Sequence, residues 1–119
     1  MILVDTSVWI DHLRSGDARL VTLLQAGQVI VHPFVVGEIA LGSLKQRGMV
    51  LNALSNLPQA PVASDREVLF FIDENNLAGT GIGYVDAHLL ASVRLEAGTA
   101  ILTRDGRLLA AATRLGLAM

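Results

Sequence analysis

The chain has 119 residues, of which 52% are hydrophobic and 17% charged, with a net charge of −2 and no cysteine. This composition predicts one well-packed domain over residues 1–119 and excludes a fibrous or disordered protein. Without cysteine, disulfides and thiolate metal sites are excluded, so any bound metal would have oxygen or histidine ligands.

Strands and helices alternate along the predicted chain. In chain order they begin with a strand at Ile2–Val4, a helix that starts at Thr6 or Ser7, a helix at Ala18–Ala26, a strand at Val29–Val31 and a helix opened by Pro33. After these come helices at Met49–Leu57, from Ser64 to about Asn75 and at Tyr84–Glu96, a strand at Ala100–Thr103, a helix at Arg107–Leu115 and a short edge strand at Leu117–Met119. Ser64 and Glu67 form a predicted capping box. The alternation predicts a small α/β sandwich.

Four carboxylates adjoin apolar segments of this sandwich: Asp5, Glu38, Asp86 and Asp105. Asp5 and Asp105 follow predicted strands, and ligands bind beyond the carboxyl ends of the strands in open parallel sheets. Glu38 and Asp86 lie early in helices that begin at the same edge. We therefore expect all four carboxylates to converge.

Helical spacing predicts that Glu38 and Asp86 face the core. Their apolar neighbours on the same helices are Phe34, Val35 and Leu41 for Glu38, and Leu89, Leu90 and Val93 for Asp86. A lone ionised carboxylate taken out of water costs several kcal/mol, so such a group needs a partner. The chain has one lysine and eight arginines, few of them at these apolar positions, and a divalent cation fits better.

Each carboxylate also has a simpler interpretation. Asp5 and Asp105 are suited to cap helices, Glu38 to an exposed helix face, and Asp86 to bond the free amides of its own first turn. The simpler interpretation needs a separate explanation for each of the four acids, whereas one shared cation accounts for all four at once.

Other polar residues do not extend this constellation. Asp73 and Glu74 lie near a helix end where solvent reaches them. The three histidines, His12, His32 and His88, form no metal-ligand pair, and His88 faces roughly the opposite side of its helix from Asp86. We predict structural roles for them. No serine-histidine or glycine-rich phosphate motif is present.

The acids stand in four ordered motifs. These are Ile-Leu-Val-Asp-Thr-Ser-Val-Trp-Ile-Asp at the start, Val-Val-Gly-Glu-Ile-Ala around Glu38, Gly-Ile-Gly-Tyr-Val-Asp-Ala-His-Leu-Leu-Ala-Ser around Asp86, and Leu-Thr-Arg-Asp-Gly-Arg-Leu around Asp105. Over nearly its whole length the chain resembles the PIN-domain ribonucleases of the VapC toxin type.

The resemblance implies a three-layer α/β/α sandwich with a central parallel sheet of four to five short strands. It implies an acidic site of Asp5, Glu38, Asp86 and Asp105, in which Asp5 and Asp86 are the metal ligands. Thr6, Ser7 and Thr103 match small polar positions beside the family's acids, and they are equally suited to assist the site or to act as hydrogen-bond donors and caps.

The chemistry of the site follows from its ligands. Carboxylates without sulfur or histidine favour Mg²⁺ or Mn²⁺ over zinc, and such a metal can activate water for attack on a phosphodiester. The implied function is that of an endoribonuclease, the toxin of a toxin-antitoxin pair, with RNA as substrate, a cognate antitoxin as inhibitor and a homodimer as the expected assembly. Leucines and valines of the 34–57 segment could form the antitoxin groove, or equally ordinary core or a dimer contact: Leu41, Leu44, Val50, Leu51 and Leu54.

Other functions fit less well. A phosphoacceptor receiver domain needs a lysine after a late strand, whereas Lys45 lies in a helix, and a haloacid dehalogenase phosphatase needs a second aspartate where this chain has Ser7. The alternative that stays open is a PIN-like module that binds RNA or protein without cleaving, although the intact acids speak against it.

Location and charge are also predicted. The start of the chain has no secretory signal, and no apolar run reaches the roughly 20 residues that cross a bilayer, so we expect a cytoplasmic protein that makes no membrane contact. The net charge argues against a global positive field for nucleic acid. A local basic rim is still allowed, from Arg14, Lys45, Arg47, Arg104 and Arg107.

Overall fold

A parallel sheet lies at the centre of the computed structural model, which describes residues 1–119. Its strands are β1 (Ile2–Val4), β2 (Val29–Ile30) and β3 (Ala100–Leu102), in the order β2-β1-β3. Leu3 and Val4 are both fully buried, and successive residues of a strand point to opposite faces. Both faces of the sheet are therefore covered by helices, as the predicted three-layer sandwich requires.

The sheet has fewer strands than the four to five predicted. One parallel bridge joins Val31 to Gln59 beyond β2, and another joins Ile101 to Ala118 beyond β3, so each outer position pairs at a single residue. Pro58 and Pro61 flank the first bridge, and proline has no N–H to donate to a ladder. The second bridge belongs to the predicted edge strand Leu117–Met119, which is too short to form a ladder.

Seven helices surround the sheet, and each predicted helix is confirmed to within about two residues at its start. They are α1 (Thr6–Ser15), α2 (Ala18–Gln25), α3 (Pro33–Ala40), α4 (Arg47–Ser55), α5 (Asp65–Glu74), α6 (Tyr84–Leu95) and α7 (Gly106–Arg114). The capping box at Ser64 and Glu67 is present. None of these helices combines the length and the apolar composition of a membrane span.

Helix α6 is the most deeply buried helix, since every residue from 87 to 93 is buried. Asp86 lies directly before this stretch, in the first turn. The helix thus holds Asp86 rigidly at the edge of the core, next to the carboxyl ends of β1 and β3.

Candidate active site

The four predicted carboxylates meet at the carboxyl edge of the sheet. Asp5 follows β1 and donates its N–H to Leu102 O at 2.9 Å, which joins it to β3, and Asp105 lies three residues beyond that strand. Burial raises the pKa of Asp86 above its usual range, and the charges of Asp5, Asp105 and Glu38 raise it further, against the opposing effect of a hydrogen bond from Gly83. The three other carboxylates therefore lie close enough to Asp86 to act on it.

Asp5 is the buried member of the site, with 5% of its surface exposed. Its Oδ2 accepts hydrogen bonds from Ser7 Oγ at 2.8 Å and from Thr103 Oγ1 at 2.7 Å. It occupies the N-cap position of α1 but makes no side-chain capping bond, so the interpretation of Asp5 as a helix cap is wrong. The two hydroxyls instead fix the orientation of its carboxylate.

Asp86 and Asp105 do cap their helices, as the simpler interpretation predicted. Asp86 Oδ2 accepts the Gly83 N–H at 3.2 Å, and Asp105 Oδ1 accepts the N–H groups of Arg107 and Leu108 at 3.0 Å each. Each carboxylate uses one oxygen for its cap, so capping leaves the second oxygen available to the site.

Glu38 is exposed, and the prediction that it faces the core is wrong. Helix α3 buries Val35 and Ile39, whereas Phe34 and Leu41 are 36% and 90% exposed. The spacing correctly placed Phe34, Glu38 and Leu41 on one face, but that face is the outer one. Glu38 is nevertheless held, because Thr6 Oγ1 donates to its Oε1 at 2.7 Å.

No basic side chain neutralises the four acids. Arg104 forms salt bridges with both Asp11 and Asp17, and His88 Nε2 contacts Asp65. Arg104, a residue of the predicted basic rim, is thus engaged elsewhere, and Arg47 of the same rim donates to the backbone of α3. Arg14 and Lys45 line a cleft of about 480 Å³ between α1 and the segment that follows α3.

The donor set suits a hard divalent cation. In each carboxylate one oxygen is hydrogen-bonded and the other has no donor from the protein, the free oxygens being Asp5 Oδ1, Glu38 Oε2, Asp86 Oδ1 and Asp105 Oδ2. Carboxylate oxygens are the ligands that Mg²⁺ and Mn²⁺ prefer. No three acidic or histidine side chains stand close enough together to hold an ion as they are.

Several contacts around the site were not suggested by the sequence. Arg104 connects two helices to β3, and Asp65 accepts a hydrogen bond from Tyr84 and contacts His88. The partners in these contacts lie 19 to 93 residues apart, so no local pattern could have paired them. His12 and His32 each accept a backbone N–H, which agrees with the structural roles predicted for them.

The sequence matches known proteins over its whole length. The sequence model of the PIN domain matches residues 2–114, a span that includes all four carboxylates. Ribonuclease VapC32 of Mycobacterium tuberculosis, from strains CDC 1551 and H37Rv, is 54% identical over 119 residues, which cover 100% of this chain and 96% of the relative. The chain belongs to the PIN domain family.

Proposed function

We propose that the chain is a metal-dependent endoribonuclease, the toxin of a toxin-antitoxin pair, that hydrolyses RNA phosphodiester bonds as a single domain over residues 1–119. Asp5, Glu38, Asp86 and Asp105 are its catalytic carboxylates, and Asp5 and Asp86 hold the metal. The observation that carries the proposal is this group of neighbouring acids, each with one held and one free oxygen, that no basic side chain neutralises. A relative named as a ribonuclease supports the activity. With cellular RNA as substrate, we place the activity in the cytoplasm.

We assign each residue of the site a role according to how exposed its side chain is. A bound Mg²⁺ or Mn²⁺ would supply a more acidic water and stabilise charge on the attacked phosphate. Ser7 and Thr103 hold the buried Asp5 with one oxygen free for the metal. Glu38 and Asp105 are exposed, so they can meet both water and the RNA backbone, and a carboxylate so placed can accept a proton from attacking water.

Cleavage of a mixed structured RNA pool tests the activity, with Mg²⁺ or Mn²⁺ present and EDTA as the metal-free control. We expect Asp86→Asn to lower the cleavage rate at least about 100-fold, because it removes one of the two carboxylates that hold the metal, and loss of even an outer-shell partner of a metal ligand costs about 10- to 100-fold. Asp73→Asn makes the same chemical change at an exposed acid outside the site and should cut like the wild type.

Two results would contradict the assignment. Equal cutting by the wild type and Asp86→Asn would exclude Asp86 from the site. Retention of RNA without cutting by any sample would favour the alternative, a PIN-like module that binds without cleaving.

We further propose that a cognate antitoxin covers the wall formed by α1 and the 41–51 segment. The cleft there is lined by Ile10, Leu13 and Leu44 together with Arg14 and Lys45. Of the residues considered for the groove, Leu54 is 3% exposed and belongs to the core, which was one of the alternatives left open. Leu44, Val50 and Leu51 are partly buried against the core, and Leu41 is 90% exposed. We also propose that the chain forms a homodimer.

Leu41 is the position at which this surface is best tested. Because its side chain is almost fully exposed, Leu41→Asp should leave folding intact while it prevents co-purification with the antitoxin. Leu69→Asp, at a 58% exposed leucine on α5, is the matched control and should still co-purify. Capture of the antitoxin by Leu41→Asp at the wild-type level would move the interface elsewhere. Light scattering of the free chain would decide whether it is a dimer.

A further inference from the structure

Two buried histidines connect the helices that carry Glu38 and Asp86. His32 is the N-cap residue of α3, and His88 lies on α6 two residues after Asp86. Their side chains are 0% and 1% exposed, and their ring centroids are 6.4 Å apart. The Phe34 ring packs against both histidines, with centroids 5.0 Å from His32 and 4.7 Å from His88. The two rings are thus held in place between α3 and α6.

The hydrogen bonds of the two rings fix their tautomers. His32 Nδ1 accepts the Phe34 N–H at 3.0 Å, so the proton of the neutral ring is on Nε2. His88 Nε2 lies 3.2 Å from Asp65 Oδ1, and a carboxylate oxygen accepts, so Nε2 is the donor and Nδ1 of the neutral ring is left as an acceptor. Burial and the neighbouring His88 lower the pKa of His32 to about 4, which keeps His32 neutral at pH 7.

One donor and one acceptor are left over. His32 Nε2 and His88 Nδ1 are both buried, and neither has a hydrogen-bond partner. Buried polar atoms are rarely left without partners. A direct N–H···N bond with a donor–acceptor distance of about 2.9 Å would bring the ring centroids to roughly 5 Å, and the observed separation of 6.4 Å is longer than that.

We propose that one buried water joins His32 Nε2–H to His88 Nδ1, and that this histidine link sets the position of Glu38 relative to Asp86. His32 is fixed to the start of α3 by its bond to Phe34, and Glu38 lies six residues further along the same short helix. His88 belongs to the rigid, buried part of α6 and is braced by Asp65, which also accepts a hydrogen bond from Tyr84 at 2.8 Å. His32 and His88 are therefore positioning residues.

The effect on metal binding rests on the proposed function, whereas the link itself does not. Groups that orient metal ligands from behind typically contribute 10- to 100-fold in metal affinity or activity. The first experiment concerns the link alone: ¹⁵N NMR of the imidazole rings of the full chain in EDTA. We expect both histidines in the Nε2–H form, and a slowly exchanging His32 ring proton with a cross-peak to bound water. An Nδ1–H form at either histidine, or a His32 proton that exchanges as fast as an exposed one, would overturn the link.

The second experiment measures Mn²⁺ affinity by calorimetry in variants that each remove one half of the link. His32→Asn keeps an acceptor for the Phe34 N–H but loses the Nε2 donor, and His88→Gln keeps a donor toward Asp65 but loses the Nδ1 acceptor. We expect each to weaken Mn²⁺ binding up to about 10-fold, the lower end of the range for direct partners of metal ligands, because the histidines act on the acids through α3 and α6. The double variant should be no weaker than the worse single one, because both changes remove the same contact. His12→Asn is the control, since His12 also accepts a backbone N–H through Nδ1 but lies outside the link.

The results of the two experiments distinguish the histidine link from the proposed metal site. Losses that add in the double variant, or Mn²⁺ affinity unchanged in both single variants, would overturn the positioning role. If either histidine variant fails to fold, Asp65→Ala replaces it, because the Asp65 side chain is 81% exposed. This change should mix the tautomers of His88 and weaken Mn²⁺ binding. If the His88 tautomer or the Mn²⁺ affinity stays as in the wild type, the result contradicts the proposal. A wild type that binds no Mn²⁺ would reject the acidic site, while the NMR result would still decide the link.

Discussion

At the scale of single residues, Asp86 combines capping, burial and repulsion in one carboxylate. Its raised pKa means that ionisation costs more in the native than in the unfolded chain. Below the ordinary value of 3.8 the group is protonated in both states and has no effect. As the pH rises the unfolded state ionises first, and the loss of native stability is complete above the native pKa.

Asp86→Asn should therefore stabilise the metal-free protein at neutral pH. In EDTA at pH 7 we expect a melting temperature a few degrees above that of the wild type, with a gain that shrinks as the pH falls toward 3.8. Asparagine can still accept the Gly83 N–H, so the helix cap is kept. Thermal melts from pH 4 to 8, with Asp73→Asn as the control, measure the effect. A gain that is the same at every pH would show that repulsion in the site is not its cause.

Thr103 connects two of the acids through one hydroxyl. Its Oγ1 donates to Asp5 Oδ2 at 2.7 Å and accepts the Asp105 N–H at 3.0 Å. Thr103→Val has nearly the same shape and removes these two bonds together with the 3.4 Å contact to Ser7 Oγ, so Mn²⁺ affinity and cleavage rate should each fall about 10- to 100-fold. Thr22→Val, at an exposed threonine that bonds only its own helix, is the control. Equal values for the two variants would assign Thr103 no role in orienting Asp5.

At the scale of elements, a feature could be predicted from the sequence when the residues that form it lie close together in the chain. The capping box that opens α5 acts within three residues, and it was predicted correctly. The buried face of α3 was predicted incorrectly. Spacing shows which residues share a face of a helix, whereas the packing of neighbouring elements decides which face is buried. The motifs indicated both the four acids and the hydroxyls of Thr6, Ser7 and Thr103, but they did not show which hydroxyl bonds which acid, because Thr103 lies 98 residues from Asp5.

The α5 cap is the local signal whose energetic value is simplest to measure. Ser64 Oγ accepts the Glu67 N–H at 3.1 Å, and Ser64→Ala should cost about 1 kcal/mol of unfolding free energy. Thermal melts should detect this as a fall of several degrees, with cleavage unchanged at temperatures where the chain is folded. Ser55→Ala, at the exposed end of α4, removes a hydroxyl that bonds only a carbonyl of its own helix and should change little. A loss at Ser55 equal to that at Ser64 would argue against a capping effect.

At the scale of the whole molecule, the acidic site exists only when the two ends of the chain meet. Its acids come from positions 5 to 105, and β1 pairs directly with β3. Arg104 reinforces this meeting, because its guanidinium binds both Asp11 of α1 and Asp17, the N-cap of α2. The backbone N–H of Arg104 also donates to Ser7 Oγ at 3.0 Å, and Ser7 Oγ in turn donates to Asp5.

Loss of Arg104 should therefore weaken the entire fold. In Arg104→Met the Asp17 side chain, only 5% exposed, keeps its cap bond to Leu20 but loses its counter-charge. A hydrogen bond to a charged group contributes about 1.5–3 kcal/mol, and we expect the lower part of that range because Arg104 is half exposed to screening solvent. Urea unfolding measures the loss.

Arg107→Met is the matched control for this change, because Arg107 is exposed and makes no salt bridge. The double variant Arg104→Met with Asp17→Asn keeps the α2 cap and removes the unpaired charge, so it should recover part of the stability. If Arg104→Met and Arg107→Met unfold at the same urea concentration, the two ends are held together by the β1–β3 ladder and the core alone. If the double variant recovers nothing, the loss comes from the aliphatic packing of Arg104 rather than from its charge.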